Sequence, residues 1–322
     1  MNLYFFDYVY NTGNNMKRIV GILLSVASLL ISPFAQASEW EIAPLPPELS
    51  DYYQGERSAH FLKWGFYEFA GRPQDIFAVE KNMILHDIGR RNESTSKLAK
   101  EYLLGNVIQP LKERRSLRLQ DGKVIQFDEL SRLAQAQLIY YFVRDGILYP
   151  HPEEFFGGER VVKSLPYVGV ALRSLPFVFK YPCETVSSHH GLCNDQAMIL
   201  AALLKLCGYD VAIGFFIPMG RELDGRLISL GYHNYVLLKD EGWGVGRWEL
   251  GEDGCGNAMG GKWIILDPIH SPRHAPDMEI IGGPHKALEF GEDPGWTKFI
   301  DSKFINLNPC AQGANPFWWG VL

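Results

Sequence analysis

Three residue types that together perform acyl-transfer chemistry stand in order along this chain: Cys193, His233 and Asp267. Cys193 follows Gly191-Leu192 and precedes Asn194-Asp195, at the predicted start of a helix that runs to Cys207. That helix has Ala197, Leu200, Ala201 and Leu204 on one face and Gly208 just past its end. The first amides of a helix have no intrahelical acceptor, and the macrodipole is positive there, so an anion at that position is favoured. A thiolate nucleophile needs that setting. His233 falls in a predicted strand, Tyr232–Leu238, whose alternate positions Tyr235 and Leu237 share its face, and Asp267 ends the predicted strand Lys262–Asp267 before Pro268. If these strands pair antiparallel, His233 and Asp267 can lie side by side on the face packed against the helix. The aspartate would then orient one ring nitrogen while the other faces the thiol, in the order nucleophile, base, orienter. The Cys193 N–H can point at a developing oxyanion. No second oxyanion donor is identifiable from the sequence, where Tyr149 and Tyr181 are no more than guesses.

Taken singly, each residue has a plainer reading. Cys193 could be a buried structural thiol or half of a disulfide with Cys183 or Cys207, His233 a hydrogen-bonded strand histidine, and Asp267-Pro268 a turn starter. Cys207 reads as a small apolar residue, and Cys183, Cys255 and Cys310 leave one further disulfide open without choosing the pair. Cys183, His189, His190 and Cys193 are spaced like no common zinc site, and no EF-hand loop is present, so neither metal nor cofactor is expected. The Gly-rich stretch 242–261 sets Glu249, Glu252 and Asp253 against Arg247, which repels phosphate; a mobile loop beside the site is the expectation.

The elements that must position these residues begin upstream. Three prolines make 38–50 an extended lead-in, and Ala59 to Ala70 has a helical apolar face with Leu62, Phe66 and Phe69. Ser94 to Arg114 reads as a helix broken by Gly105 and Pro110. Ser116–Gln120 and Lys123–Phe127 flank Asp121-Gly122 as a β-hairpin, after which Asp128 caps a helix to Asp145 that stops at Gly146. Residues 150–190 hold Pro152, Pro166, Pro176 and Pro182 interleaved with apolar runs and read as packed irregular structure with short strands. From Gly191 the order is one helix and then three strands, Val211–Ile217, Tyr232–Leu238 and Lys262–Asp267, joined by Gly-rich linkers.

Residues 191–212, Gly-Leu-Cys-Asn-Asp-Gln-Ala-Met-Ile-Leu-Ala-Ala-Leu-Leu-Lys-Leu-Cys-Gly-Tyr-Asp-Val-Ala, resemble the Cys block of the transglutaminase-like superfamily. His233 with Tyr235 and Trp263 through Asp267-Pro268 resemble its His and Asp blocks, and Ile139 to Tyr149 the segment upstream of the Cys. The likeness covers about residues 135–270; Tyr235 stands where the family more often has Trp, and the linker between His and Asp is long. The resemblance implies an α+β, papain-like core with the Cys helix packed on an antiparallel sheet, and a triad of Cys193, His233 and Asp267. It implies an exported cysteine peptidase or amidase acting through a thioester. The alternatives are a protein-crosslinking transglutaminase and a non-catalytic envelope-binding module on the same fold.

Composition agrees with an ordinary globular protein: 322 residues, 47% hydrophobic and 21% charged. A net charge of −6 and the lack of Lys/Arg runs argue against nucleic acid as a partner, leaving a protein or peptide substrate. Met16-Lys17-Arg18, the apolar run Ile19 to Ile31 and Ala35-Gln36-Ala37 form the pattern of a secretory signal, with Met16 a possible true start. The division expected is therefore a signal peptide over 1–37, a mainly helical region over 38–130 and a catalytic domain over 131–322. The expected location is outside the cytoplasm, in a periplasm, with no stable membrane insertion once the signal is removed.

Overall fold

Helix α1 (Pro47–Trp64) opens with proline at its first position, where the missing N–H costs nothing and the fixed φ suits a helix. Helix formation thus starts inside the stretch expected to be extended; only 41–46 lead in. That lead-in is tied down by polar contacts. Ala43 N–H donates to Asn106 Oδ1, Leu45 N–H to Ser187 Oγ, and the Tyr102 hydroxyl to the Ala43 carbonyl. The computed structural model describes residues 41–64, 73–118, 122–126, 130–148, 180–216, 219–223, 226–229, 233–253, 256–269, 288–292 and 303–308. The signal-like segment, most of the proline-rich stretch 150–190, Tyr149, Cys255 and Cys310 lie outside these.

Helix α2 (Pro73–Asp87) has no counterpart in the sequence reading. Helix α3 (Ser94–Leu103) continues without a break through a π-helical turn at Leu104–Ile108 into α4 (Gln109–Glu113). The π turn is what accommodates Gly105 and Pro110: Gln109 N–H reaches back five residues to the Leu104 carbonyl, so the ladder shifts before the proline, which has no N–H to offer. Strands β1 (Ser116–Arg118) and β2 (Val124–Gln126) form the expected antiparallel hairpin. Helix α5 (Arg132–Gly146) is capped by Ser131, whose hydroxyl accepts from Ala134 N–H, so the helix begins later than a cap at Asp128 would have it.

Helix α6 (Pro182–Ser188) leads into α7 (Cys193–Leu206), where every residue from Asn194 to Leu204 is buried. An apolar helix of this kind must be covered all round. Its neighbours α2, α5 and α6 pack on it, and so does an antiparallel sheet. That sheet contains β3 (Val211–Phe216), β6 (His233–Lys239), β7 (Trp248–Glu249), β8 (Lys262–Leu266) and β9 (Lys303–Asn306), in the order β7-β8-β6-β3-β9. The segment between β3 and β6, expected as linker, forms a small hairpin of β4 (Met219–Leu223) and β5 (Arg226–Ser229). The class is α+β, with the Cys193 helix laid on an antiparallel sheet. Residues from Ile42 onward form one compact unit, and α2, from the region before residue 130, packs directly on α7.

Candidate active site

Cys193 is the first residue of α7, preceded by Leu192 in extended conformation. The Asp195 carboxylate organises this helix start: one oxygen accepts from Lys180 N–H and the Asn194 amide, the other from Leu192 N–H, all at 3.0–3.1 Å. Burial pushes the Asp195 carboxyl up to about 6, opposed by those two backbone donors. Gly191 is required by close packing: a Cβ there would come within 2.9 Å of both Asp195 Cβ and Thr185 Cγ2. The Gly-x-Cys spacing therefore has a steric cause in the approach of α6 to α7.

Cys183, Cys193 and Cys207 are all thiols, which removes a disulfide of Cys193 with either neighbour. They differ in access. Cys193 is half-buried, whereas Cys183 is fully buried. Cys183 belongs to a second Cys-His-Asp grouping, because Asp87 accepts from Cys183 N–H, from the Tyr53 hydroxyl and from His86 Nδ1. Burial in that cluster, with Asp87 alongside, pushes the Cys183 thiol well up, which is the wrong direction for a nucleophile. Tyr181 is committed to the same cluster, its ring stacked 4.0 Å from that of Tyr53. Cys207 ends up as the C-cap of α7, half-buried, with its thiol raised by burial.

His233 opens β6, paired with Phe216 across β3, and β6 pairs antiparallel with β8. Leu237 faces Ile265 and Val236 faces Leu266. Continuing that register by one residue sets Asp267 across from Tyr235, so positions 233 and 267 are diagonal neighbours on one face, about 7–8 Å apart in such ladders. The two are therefore on a common face but not directly opposite. That face is lined by Ala212, Tyr235, Leu237, Met259, Trp263 and Ile265. Asn234 is turned the other way, toward α2, which packs on α7, so positions 233 and 267 share the face turned away from the Cys193 helix and not the helix-packed face expected from the sequence. Gly214, opposite Tyr235, has no side chain because the Tyr235 ring occupies the space a Cβ would need. Asp267 is 1% exposed; its Oδ1 accepts from Ile269 N–H, and its carbonyl accepts from the Tyr140 hydroxyl.

Glu80, a fully buried residue of α2, holds the start of β6 and is within electrostatic reach of Asp195 in the first turn of α7. Asn234 Nδ2 donates to both Glu80 carboxyl oxygens, at 2.8 and 2.9 Å, and the Asp195 charge is close enough to act on Glu80. Burial drives the Glu80 carboxyl well above its ordinary value; the Asn234 bond opposes this and Asp195 adds to it. Around this junction the Asn194 Oδ1 and Asn234 Oδ1 atoms are buried with no hydrogen-bond partner among the described residues. Neither Glu80 nor Asn234 was singled out from the sequence. The available signal was a carboxylate between two apolar runs, Ile76 to Val79 and Met83 to Leu85.

The Gly-rich stretch after β6 is folded on itself and is not an open loop. The Asp240 carboxylate accepts from Gly242, Trp243 and Gly246 N–H, Met259 N–H donates to the Gly251 carbonyl, and Trp263 Nε1 donates to the Met259 carbonyl. Among the described residues no group of His, Cys, Asp and Glu side chains gathers as a metal site would require, and no helix is long and apolar enough to cross a membrane. No protein-family model, curated protein or solved structure matches the chain.

Proposed function

We propose that this chain is an exported thiol hydrolase, a peptidase or amidase of papain-like, transglutaminase-like design. Cys193 attacks an amide carbonyl, and the sulfur–carbon bond forms as the thiol proton passes to His233. The C–N bond then breaks, the leaving amine takes the proton from His233, and water cleaves the thioester to return the thiol and a carboxylic acid. Asp267 orients His233, and the Cys193 N–H at the helix start faces the oxyanion. The observation that supports this reading is that Asn234, beside His233, binds Glu80 while Asp195, in the first turn of the Cys193 helix, acts on the same carboxyl. Positions 233 and 267 share the other face, so His233 reaches Cys193 around the end of β6. The register sets position 233 diagonally across from Asp267, within reach of an imidazole. The signal-like segment supports export to a periplasm, with a protein or peptide as substrate.

The test is alkylation of the native protein across neutral and mildly acid pH, read at Cys193 by peptide mass spectrometry. The expected result is reaction where an ordinary thiol is inert, and loss of the modified peptide in Cys193→Ala. A rate that follows an ordinary thiol through the whole range overturns the enzyme reading and leaves a binding module. Incubation with a glutamine-donor protein and a labelled amine then separates the acceptors: release of ammonia without label is hydrolysis, and incorporated label is crosslinking.

A further inference from the structure

Helix α5 packs on α7 and also reaches the residue that follows β8. The Tyr140 hydroxyl is 3.0 Å from the Asp267 carbonyl and 3.0 Å from the Leu288 carbonyl. A phenol has one proton to donate, and here two acceptors face it. The Leu288 carbonyl has a second donor, Arg144 Nη1 at 2.9 Å, so it stays bonded when the hydroxyl turns to Asp267. We propose that Tyr140 is a positioning residue for Asp267, fixing by its carbonyl the carboxylate that orients His233. This rests on the thiol-hydrolase reading above.

The last paired residue of β8 is Leu266, opposite Val236, so Asp267 lies just beyond the rungs of the sheet and is placed by other contacts. Ile269 N–H donates to Asp267 Oδ1 at 3.1 Å across Pro268, an Asx turn whose middle residue has a fixed φ. That turn sets the carboxyl against its own backbone. The Tyr140 hydroxyl sets the backbone against α5, and the two bonds together fix where the side chain points. Tyr140 is itself firmly held. It is buried, with its ring edge-on to Tyr141 at 5.3 Å and to Phe290 at 5.8 Å. Burial keeps the phenol well above its ordinary range, opposed by Arg144 and helped by Asp267, Tyr141 and Asp145, so it remains a donor. Arg144 gives Nε and Nη2 to Asp145, at 2.7 and 2.8 Å, which leaves Nη1 directed at Leu288. One helix therefore bears on both the nucleophile's helix and the orienting carboxylate.

The test compares wild type with Tyr140→Phe, Tyr141→Phe, Asp267→Asn and the double variant Tyr140→Phe with Asp267→Asn. Each is followed by the Cys193 alkylation rate against pH and by circular dichroism. Tyr140→Phe removes one oxygen and keeps the ring; it should lower the rate on the acid side about fivefold, as the loss of one ordinary hydrogen bond does. Tyr141→Phe loses a bond to the same 288–292 segment, from its hydroxyl to Glu289 at 2.6 Å, without touching Asp267, and should keep the wild-type profile. In the Asp267→Asn background the Tyr140 change should add nothing, because the carboxylate it serves is gone. A folded Tyr140→Phe protein with an unchanged profile, an equal loss in Tyr141→Phe, or the full loss repeated on top of Asp267→Asn overturns the role of Tyr140. If Tyr140→Phe does not fold, Arg144→Lys decides. Lysine keeps the charge beside Asp145 but lacks the fork that reaches Leu288, so the hydroxyl is drawn from Asp267 and the rate should fall in the same sense; an unchanged profile overturns the proposal. An ordinary thiol profile in the wild type, or an Asp267→Asn profile equal to the wild type, is a different failure, and it sinks the hydrolase reading itself.

Discussion

Replacing Glu80 by glutamine should change how the stability of this protein depends on pH, and the sign follows from burial. The carboxyl is fully buried and its folded-state value is raised well above the ordinary 4.5, with desolvation the main cause. A raised carboxyl binds its proton more tightly in the folded state than in the unfolded one. Its contribution is therefore complete below the unfolded value and is lost as pH rises to the folded one. The loss proceeds at up to about 1.4 kcal/mol per pH unit. Glutamine does not titrate. The difference in unfolding free energy between Glu80→Gln and wild type should be small in acid, grow in favour of the variant at that limiting slope, and level off once Glu80 ionises in the fold. Asp195, raised to about 6 by its own burial, titrates in both proteins, and the loss of the Glu80 charge shifts only its share of the difference. Urea unfolding at a series of pH values measures the difference directly. Parallel curves for the two proteins over the whole range would refute the claim that Glu80 is protonated by its surroundings.

Three further outcomes are expected. Asp195→Ala removes the acceptor of Lys180 N–H, Leu192 N–H and the Asn194 amide and should cost about 1–2 kcal/mol, as a lost helix cap does, together with slower Cys193 alkylation; urea unfolding and labelling check both. Gly214→Ala drives a methyl into the Tyr235 ring and should destabilise by about 1–3 kcal/mol, visible as a lower Tm. Cys183, held in the Asp87 cluster with no exposure, should resist alkylation until the protein is unfolded, which peptide mapping with and without denaturant reports.

Legibility from sequence followed the physics of each segment. The Cys193 helix was plain because its apolar positions and Gly208 mark it out, and the strands around His233 and Asp267 because apolar runs between glycines have few other uses. Helix α2 was hidden because Glu80 and Lys81 sit where a surface helix shows its apolar stripe; both are buried, which only their tertiary partners explain. The unbroken passage through Gly105 and Pro110 depends on a π turn, a hydrogen-bond shift that propensities do not encode. Strand β9 joins β3 from far along the chain, and no local pattern announces such a partner. For the candidate site, the strands and helix carrying Cys193, His233 and Asp267 were readable, while the diagonal placement of Asp267 and the Glu80–Asn234 pair were not. Register and buried polar pairing are settled between elements, not within them.

The outermost rung of the sheet has a consequence for biogenesis. Until residues 303–306 leave the ribosome, β3 presents the bare backbone edge that Ala212 to Phe215 later share with β9, and Lys81 waits for a carbonyl 227 positions downstream. An apolar edge left open in this way invites pairing with other nascent chains. Folding during synthesis therefore stalls one strand short, and a holding chaperone has a defined stretch to shield. A polypeptide that cannot finish its sheet early stays open for longer while it is being made.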